Sequence, residues 1–127
     1  MNILIYANDS KALSRMISGI WFMQYRNLDF SMPKDYDAYL AALGEESPDI
    51  IFISLHGALG MEAAMAARET CRGAHIVWFS NDEAFGAQSY RIGCDYFSSV
   101  PVSPVSVSKA ISHCGVGPPL GMRLSEA

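Results

Sequence analysis

The sequence predicts an α/β protein built on one parallel β-sheet with helices on both faces. Three observations carry that prediction. Short apolar runs alternate with longer segments of helical period from residue 3 to residue 114. Two of the runs, residues 50–53 and 76–79, are apolar at every position, as strands covered on both faces are. Alternation in single file implies parallel pairing through crossover helices.

Residues 3–6 form the first run. Leu13, Met16, Ile17, Ile20, Trp21 and Gln24 follow at the spacing of an amphipathic helix with one polar lapse, and Ser10 is placed to cap it. Leu28, Phe30 and Met32 alternate with polar residues, the pattern of a half-buried edge strand. Asp35 caps a second helix carrying Tyr36, Tyr39, Leu40 and Leu43, with Gly44 at its end. After the run at 50–53, Gly57 and Gly60 mark a loop, and the Ala-rich residues 61–71 are strong helix formers. Residues 76–79 end on Ser80. Residues 83–92 are a weaker helix, with Gly86 inside it and Gly93 closing it. Residues 96–99 read as the last strand. Ser103 and Pro104 supply an N-cap with proline at the first helical position, and Val107, Ala110, Ile111 and Cys114 form the buried stripe of the last helix.

Five β-α units at this size take the flavodoxin-like strand order 2-1-3-4-5. With 127 residues, half of them hydrophobic, the chain has material for one ordinary core. Residues 1–114 are expected to form a single three-layer domain. Residues 115–127, with Gly117, Pro118, Pro119 and Gly121, read as a flexible tail or linker stub. No DNA-binding domain fits in that tail, so the expectation is a stand-alone regulator or the N-terminal part of a longer one.

Composition excludes several functions. The net charge is −4 and the nine Lys and Arg residues form no cluster, which argues against direct nucleic-acid contact. No apolar run has membrane-spanning length, and the first six residues lack the basic region and cleavage site of a signal peptide. Cys71, Cys94 and Cys114 are odd in number and widely spaced, as reduced thiols of a cytoplasmic protein are. No His and Cys set has zinc spacing, so neither metal nor cofactor is expected.

In this architecture ligands and chemistry sit beyond the carboxyl ends of the strands. Those positions hold Ala7, Asn8 and Asp9, then Ser54, then Ser80, then Val100 and Pro101. Three pieces lead into them: Pro48-Asp49-Ile50-Ile51-Phe52-Ile53-Ser54, Ser80-Asn81-Asp82-Glu83-Ala84-Phe85, and Gly93-Cys94-Asp95-Tyr96-Phe97-Ser98-Ser99-Val100-Pro101. In this order and at these separations they resemble the receiver domain of response regulators (CheY-like), over residues 2–114. The short fourth helix and the last piece are most like receivers that precede LytTR-type DNA-binding domains.

The resemblance implies a degenerate phosphoacceptor pocket. The family's metal-binding acid pair falls on Ala7 and Asn8, with Asp9 one residue beyond. Its phosphoacceptor aspartate falls on Ser54, its lysine on Val100. The hydroxyl after the fourth strand is kept as Ser80 and the proline as Pro101, and the resemblance implies a cis Val100–Pro101 bond. The aromatic switch position is Phe97, beside Tyr96 on a face through which receivers commonly dimerise. A carboxylate can form an acyl phosphate, whereas a serine hydroxyl forms at best a stable phosphoester when an enzyme activates it. Mg²⁺ wants anionic oxygens, and phosphoryl transfer wants cations that valine cannot supply.

The remaining candidates have plain readings. Ser54 is read as a neutral residue filling a vacated pocket, against a role as a Ser/Thr-kinase substrate. Ser54 and Ser80 could pair, but neither has an obvious base. His56 is read as a solvated loop histidine, and His113 as a cation at a helix C-terminus. The segment Asn8-Asp9-Ser10-Lys11 could hold a phosphate at a helix N-terminus, but it lacks the glycine of flavin-binding loops. Met16, Met23, Met61 and Met65 are read mostly as core packing.

The reading is a non-enzymatic, phosphorylation-independent receiver-like domain. It is expected to act as a homodimerisation or protein-interaction module in bacterial signalling or transcription control, without membrane contact. The alternative is a receiver-like pocket that binds a small molecule; a hydrolase or flavin protein using Ser54 is a third reading.

Overall fold

In the computed structural model, the described residues are 1–21, 28–99 and 101–115. Strands β1 (Asn2–Ala7), β2 (Asp29–Ser31), β3 (Ile50–Ser54), β4 (His75–Phe79) and β5 (Tyr96–Ser98) form one parallel sheet in the order β2-β1-β3-β4-β5. Helices α1 (Ser10–Trp21), α2 (Tyr36–Glu45), α3 (Ala58–Thr70), α4 (Gly86–Ile92) and α5 (Pro104–His113) connect and follow them. This is the strand order that the alternation of runs implies.

The period of two along each strand divides the core into two layers. Leu4, Tyr6, Ile51, Ile53, Ile76 and Trp78 pack with Tyr39 and Leu43 of α2 and the alanines of α3. Ile3, Ile5, Ile50, Phe52, Val77 and Phe79 pack on the other face with Leu13 and Ile17 of α1 and with Val107, Ala110 and Ile111 of α5. The all-apolar strands are apolar because both faces are covered. Tyr39 is wholly buried and its Oη donates to the Ala63 carbonyl at 2.6 Å, which ties α2 to α3. Its ring stacks on Tyr6 at 4.6 Å.

The helix ends follow their capping residues. Asp35 caps α2, its carboxylate accepting the Ala38 N–H at 2.8 Å. Ser103 and Ser106 form a reciprocal capping box at α5, with Pro104 in the first turn. Gly93 ends α4 in the left-handed region at φ 83°.

Four expectations about boundaries need correction. Ser10 is the first residue of α1 rather than its cap. The cap is Asp9, whose Oδ1 accepts the Ala12 N–H at 3.1 Å, while the Ser10 hydroxyl donates back to the Ala7 carbonyl. Gly44 does not end α2, which runs to Glu45. Gly60 is not in a loop but in the first turn of α3, where only a hydrogen fits against Leu55 and Trp78. The weak helix at 83–92 divides into a 3-10 turn (Glu83–Phe85) and α4. Of the stripes, Leu40 and Met65 are exposed rather than packed. Met23, Gln24 and residues 116–127 lie outside the described residues, as does Val100 with its bond to Pro101.

Candidate functional site at the carboxyl ends of the strands

Register places the site. Ala7 of β1, Ser54 of β3 and Phe79 of β4 are neighbours across the last rung of the central strands. The ladder continues one step past β1, where the Asn8 N–H donates to the Ser54 carbonyl at 3.1 Å. Ser54 is thereby fixed at the centre of the carboxyl edge, half-buried, and Asn8 and Asp9 are exposed beside it. Ser80 is buried after β4, its N–H donating to the Ser98 carbonyl at 2.9 Å.

Two adjoining clefts open at this edge. One, of about 260 Å³, is lined by Ser54, His56, Ser80, Asn81 and Pro101 among others. The other, of about 300 Å³, is lined by Ala7, Asn8, Asp9, Leu13 and Met16, with Ser54 and His56 again. The sequence-derived residues Ala7, Asn8, Asp9, Ser54, Ser80 and Pro101 are therefore brought together.

Their chemistry is sparse. No hydrogen bond joins the Ser54 and Ser80 hydroxyls, or Ser54 and His56, among the described residues. The Ser80 hydroxyl accepts the Asp82 N–H at 3.2 Å instead, and Asp82 caps the 3-10 turn through the Ala84 N–H. Without a base on Ser54, a nucleophile role has no geometric support. Asp9 is the one carboxylate among the described lining residues, and one of its oxygens is engaged as the α1 cap. A single, half-committed carboxylate beside a neutral amide and a hydroxyl does not fit Mg²⁺, which is held through carboxylates in near-octahedral geometry.

Tyr96 and Phe97 do not share a surface. Phe97 packs edge-on against Trp78 at 5.1 Å on the α4 side of β5. Tyr96 faces α5, against Phe79 at 6.1 Å and the His113 ring at 5.1 Å. Both are half-buried.

Two relationships were not anticipated. Asn81 Oδ1 accepts the Gly57 N–H at 3.2 Å and so links the loop after β4 to the start of α3. At the opposite pole, one potential ligand atom each from His75, Asp95 and Cys114 lies within 4.8 Å of the others. Sequence spacing hides that cluster, but topology could have found it, because β4 and β5 begin where α5 ends. The strongly shifted thiols are at this distance from the site too: burial pushes Cys94 and Cys114 up to about 12.

No family model and no curated protein matches the sequence. Solved structures do match in fold. A response regulator from Burkholderia pseudomallei, determined with a phosphorylated aspartic acid, calcium ion and citrate, is 16% identical with a TM-score of 0.66, over 99% of this chain and 72% of that one. The Vibrio cholerae chemotaxis protein CheY4 is 16% identical with a TM-score of 0.65, over 89% and 97%. A Sinorhizobium meliloti pilus assembly protein is 16% identical with a TM-score of 0.63, over 90% and 99%. At these identities the likeness is one of fold: the chain has the CheY-like flavodoxin fold of response-regulator receiver domains.

Proposed function

We propose that this chain is a receiver-fold module without phosphotransfer, working through protein contacts as a homodimerisation or interaction unit in bacterial signalling or transcription control. One observation carries the reading. Where the fold would present a phosphoacceptor carboxylate, β3 ends on the Ser54 hydroxyl, and the acid that shares a cleft with it, Asp9, caps a helix. An acyl phosphate cannot form there, and no catalysis or resident metal follows from the donor set. The module is cytoplasmic in this reading; no described helix is long and apolar enough to cross a membrane. It makes no direct nucleic-acid contact. The seven-residue α4 behind a 3-10 turn supports the resemblance to receivers that precede LytTR-type output domains.

Contact surfaces support the interaction role. Tyr90 on α4 is 88% exposed and Val105 on α5 is 65% exposed, on the helices that flank the short edge strand β5. A fold of this kind does not impose a phosphorelay, since function lives in the site rather than in the scaffold. The test is incubation with acetyl phosphate and Mg²⁺ followed by intact mass, with light scattering across a concentration series. An unmodified dimer is expected. A labile phosphoryl adduct would end the phosphorylation-independent reading, and a monomer at high concentration would end the dimer.

The two adjoining clefts favour a second reading, a small-molecule ligand at Ser54 and His56. Each is near the lower end of the range for ligand pockets, about 300–1,000 Å³. Thermal-shift screening separates the two, because a ligand raises apparent stability by mass action.

A further inference from the structure

We propose that His75, Asp95 and Cys114 form a binding site for a zinc-class divalent cation, at the pole opposite the Ser54 clefts. The three residues come from the start of β4, the turn before β5 and the C-cap of α5. One ligand atom from each lies within 4.8 Å of the other two. Imidazole nitrogen, carboxylate oxygen and thiolate sulfur are the donors zinc takes, and three protein ligands leave the fourth position open.

The distances are near those of a coordination shell. His75 Nδ1 lies 3.4 Å from Asp95 Oδ1. That is longer than an N–H···O hydrogen bond, about 2.7–3.2 Å. It matches the N···O edge of a tetrahedral zinc shell, about 3.3 Å for bonds near 2.0–2.1 Å. Edges to sulfur would be about 3.6 Å, so Cys114 needs an approach of at most about 1.2 Å.

The second carboxylate oxygen is already oriented. Asp95 Oδ2 accepts the Ile76 N–H at 2.8 Å and lies 4.0 Å from Arg68 Nη2. These contacts leave Oδ1 turned to His75, as outer contacts orient ligands in metal sites. The Arg68 charge opposes a cation, but its guanidinium also donates to the Arg72, Ala74 and Gly93 carbonyls. His75 and Asp95 are about one-third and one-quarter exposed, so an ion can reach them from solvent. Binding converts the Cys114 thiol to thiolate and releases its proton to solvent.

Cobalt(II) titrated into the reduced full chain provides the test. One equivalent is expected to give thiolate-to-cobalt charge-transfer absorption with tetrahedral visible bands, and zinc is expected to bleach both. Cys114→Ser should abolish the charge transfer, while Cys71→Ser and Cys94→Ser retain it. His75→Gln, at a part-exposed position that leaves the core intact, should weaken binding by about tenfold or more. Absence of the band in the wild type, its survival in Cys114→Ser, or unchanged affinity in His75→Gln would each overturn the site.

Discussion

A methyl group placed on Gly60 would lie 2.9 Å from Trp78 Nε1 and 2.9 Å from the Leu55 carbonyl oxygen. Neither neighbour can yield easily. One is backbone, and the indole is wholly buried between Phe85 and Phe97. The indole N–H has no acceptor among the described residues, so its edge is held by packing alone. Gly60→Ala gains helix propensity of up to about 1 kcal/mol but overpacks the site by about 1–3 kcal/mol. The expected outcome is a net loss of about 1–2 kcal/mol in chemical denaturation. A variant as stable as the wild type would show that α3 can shift away from β4.

That glycine also marks where the sequence stops being readable. The central strands were legible because parallel strands covered on both faces carry no polar position, and Ser103-Pro104 announces its helix by chemistry alone. Gly60 was illegible because propensity treats glycine as a breaker, whereas here it permits α3 to approach the Trp78 indole of β4 and the Leu55 carbonyl closely. Asp9 and Ser10 are both good caps, and only the Asp9 bond to Ala12 decides between them. That β3 ends on the Ser54 hydroxyl was legible because it is a matter of residue type at a strand end. The Asn81 bond to Gly57 and the gathering of His75, Asp95 and Cys114 were not, because they depend on how loops from separate units meet.

The buried thiols make stability depend on alkaline pH. Burial, partly offset at Cys94 by Arg68, raises the Cys94 and Cys114 thiols from 9.0 to about 12. Between those values the unfolded chain has lost protons that the folded chain retains. Stability is therefore level below about pH 9 and falls as pH rises above it, by up to about 1.4 kcal/mol per unit for each thiol. Urea unfolding from roughly pH 8 to 11 would record the slope, and a Cys94→Ala, Cys114→Ala double variant should flatten much of it. Tyr39, also raised by burial, leaves a residual fall above its ordinary value of 10.0. A slope unchanged by the double variant would assign the effect elsewhere.

Tyr90 and Val105 are the exposed apolar side chains of α4 and α5. If they form the centre of a dimer face, Tyr90→Ser with Val105→Ser should shift light scattering to monomer. The monomer's own stability should change little, within about 0.5 kcal/mol for surface positions. A double variant that remains dimeric would move the interface off this face.

Ser54→Asp tests whether one carboxylate is enough for phosphotransfer. It would place an acid on the last rung of β3, opposite Ala7. The metal that must offset the transferring charge would still face the neutral Asn8 and an Asp9 engaged with the Ala12 N–H. By the resemblance, the lysine position of receivers falls on Val100. The expected result is no phosphoryl adduct from acetyl phosphate and Mg²⁺, read by intact mass within minutes of mixing. Adding Ala7→Asp, Asn8→Asp and Val100→Lys to Ser54→Asp supplies the absent ligands and cation together, and that variant is expected to take up the label. Uptake by Ser54→Asp alone would mean that Asp9 leaves its cap to hold the metal, and the proposed absence of phosphotransfer would then rest on a single residue.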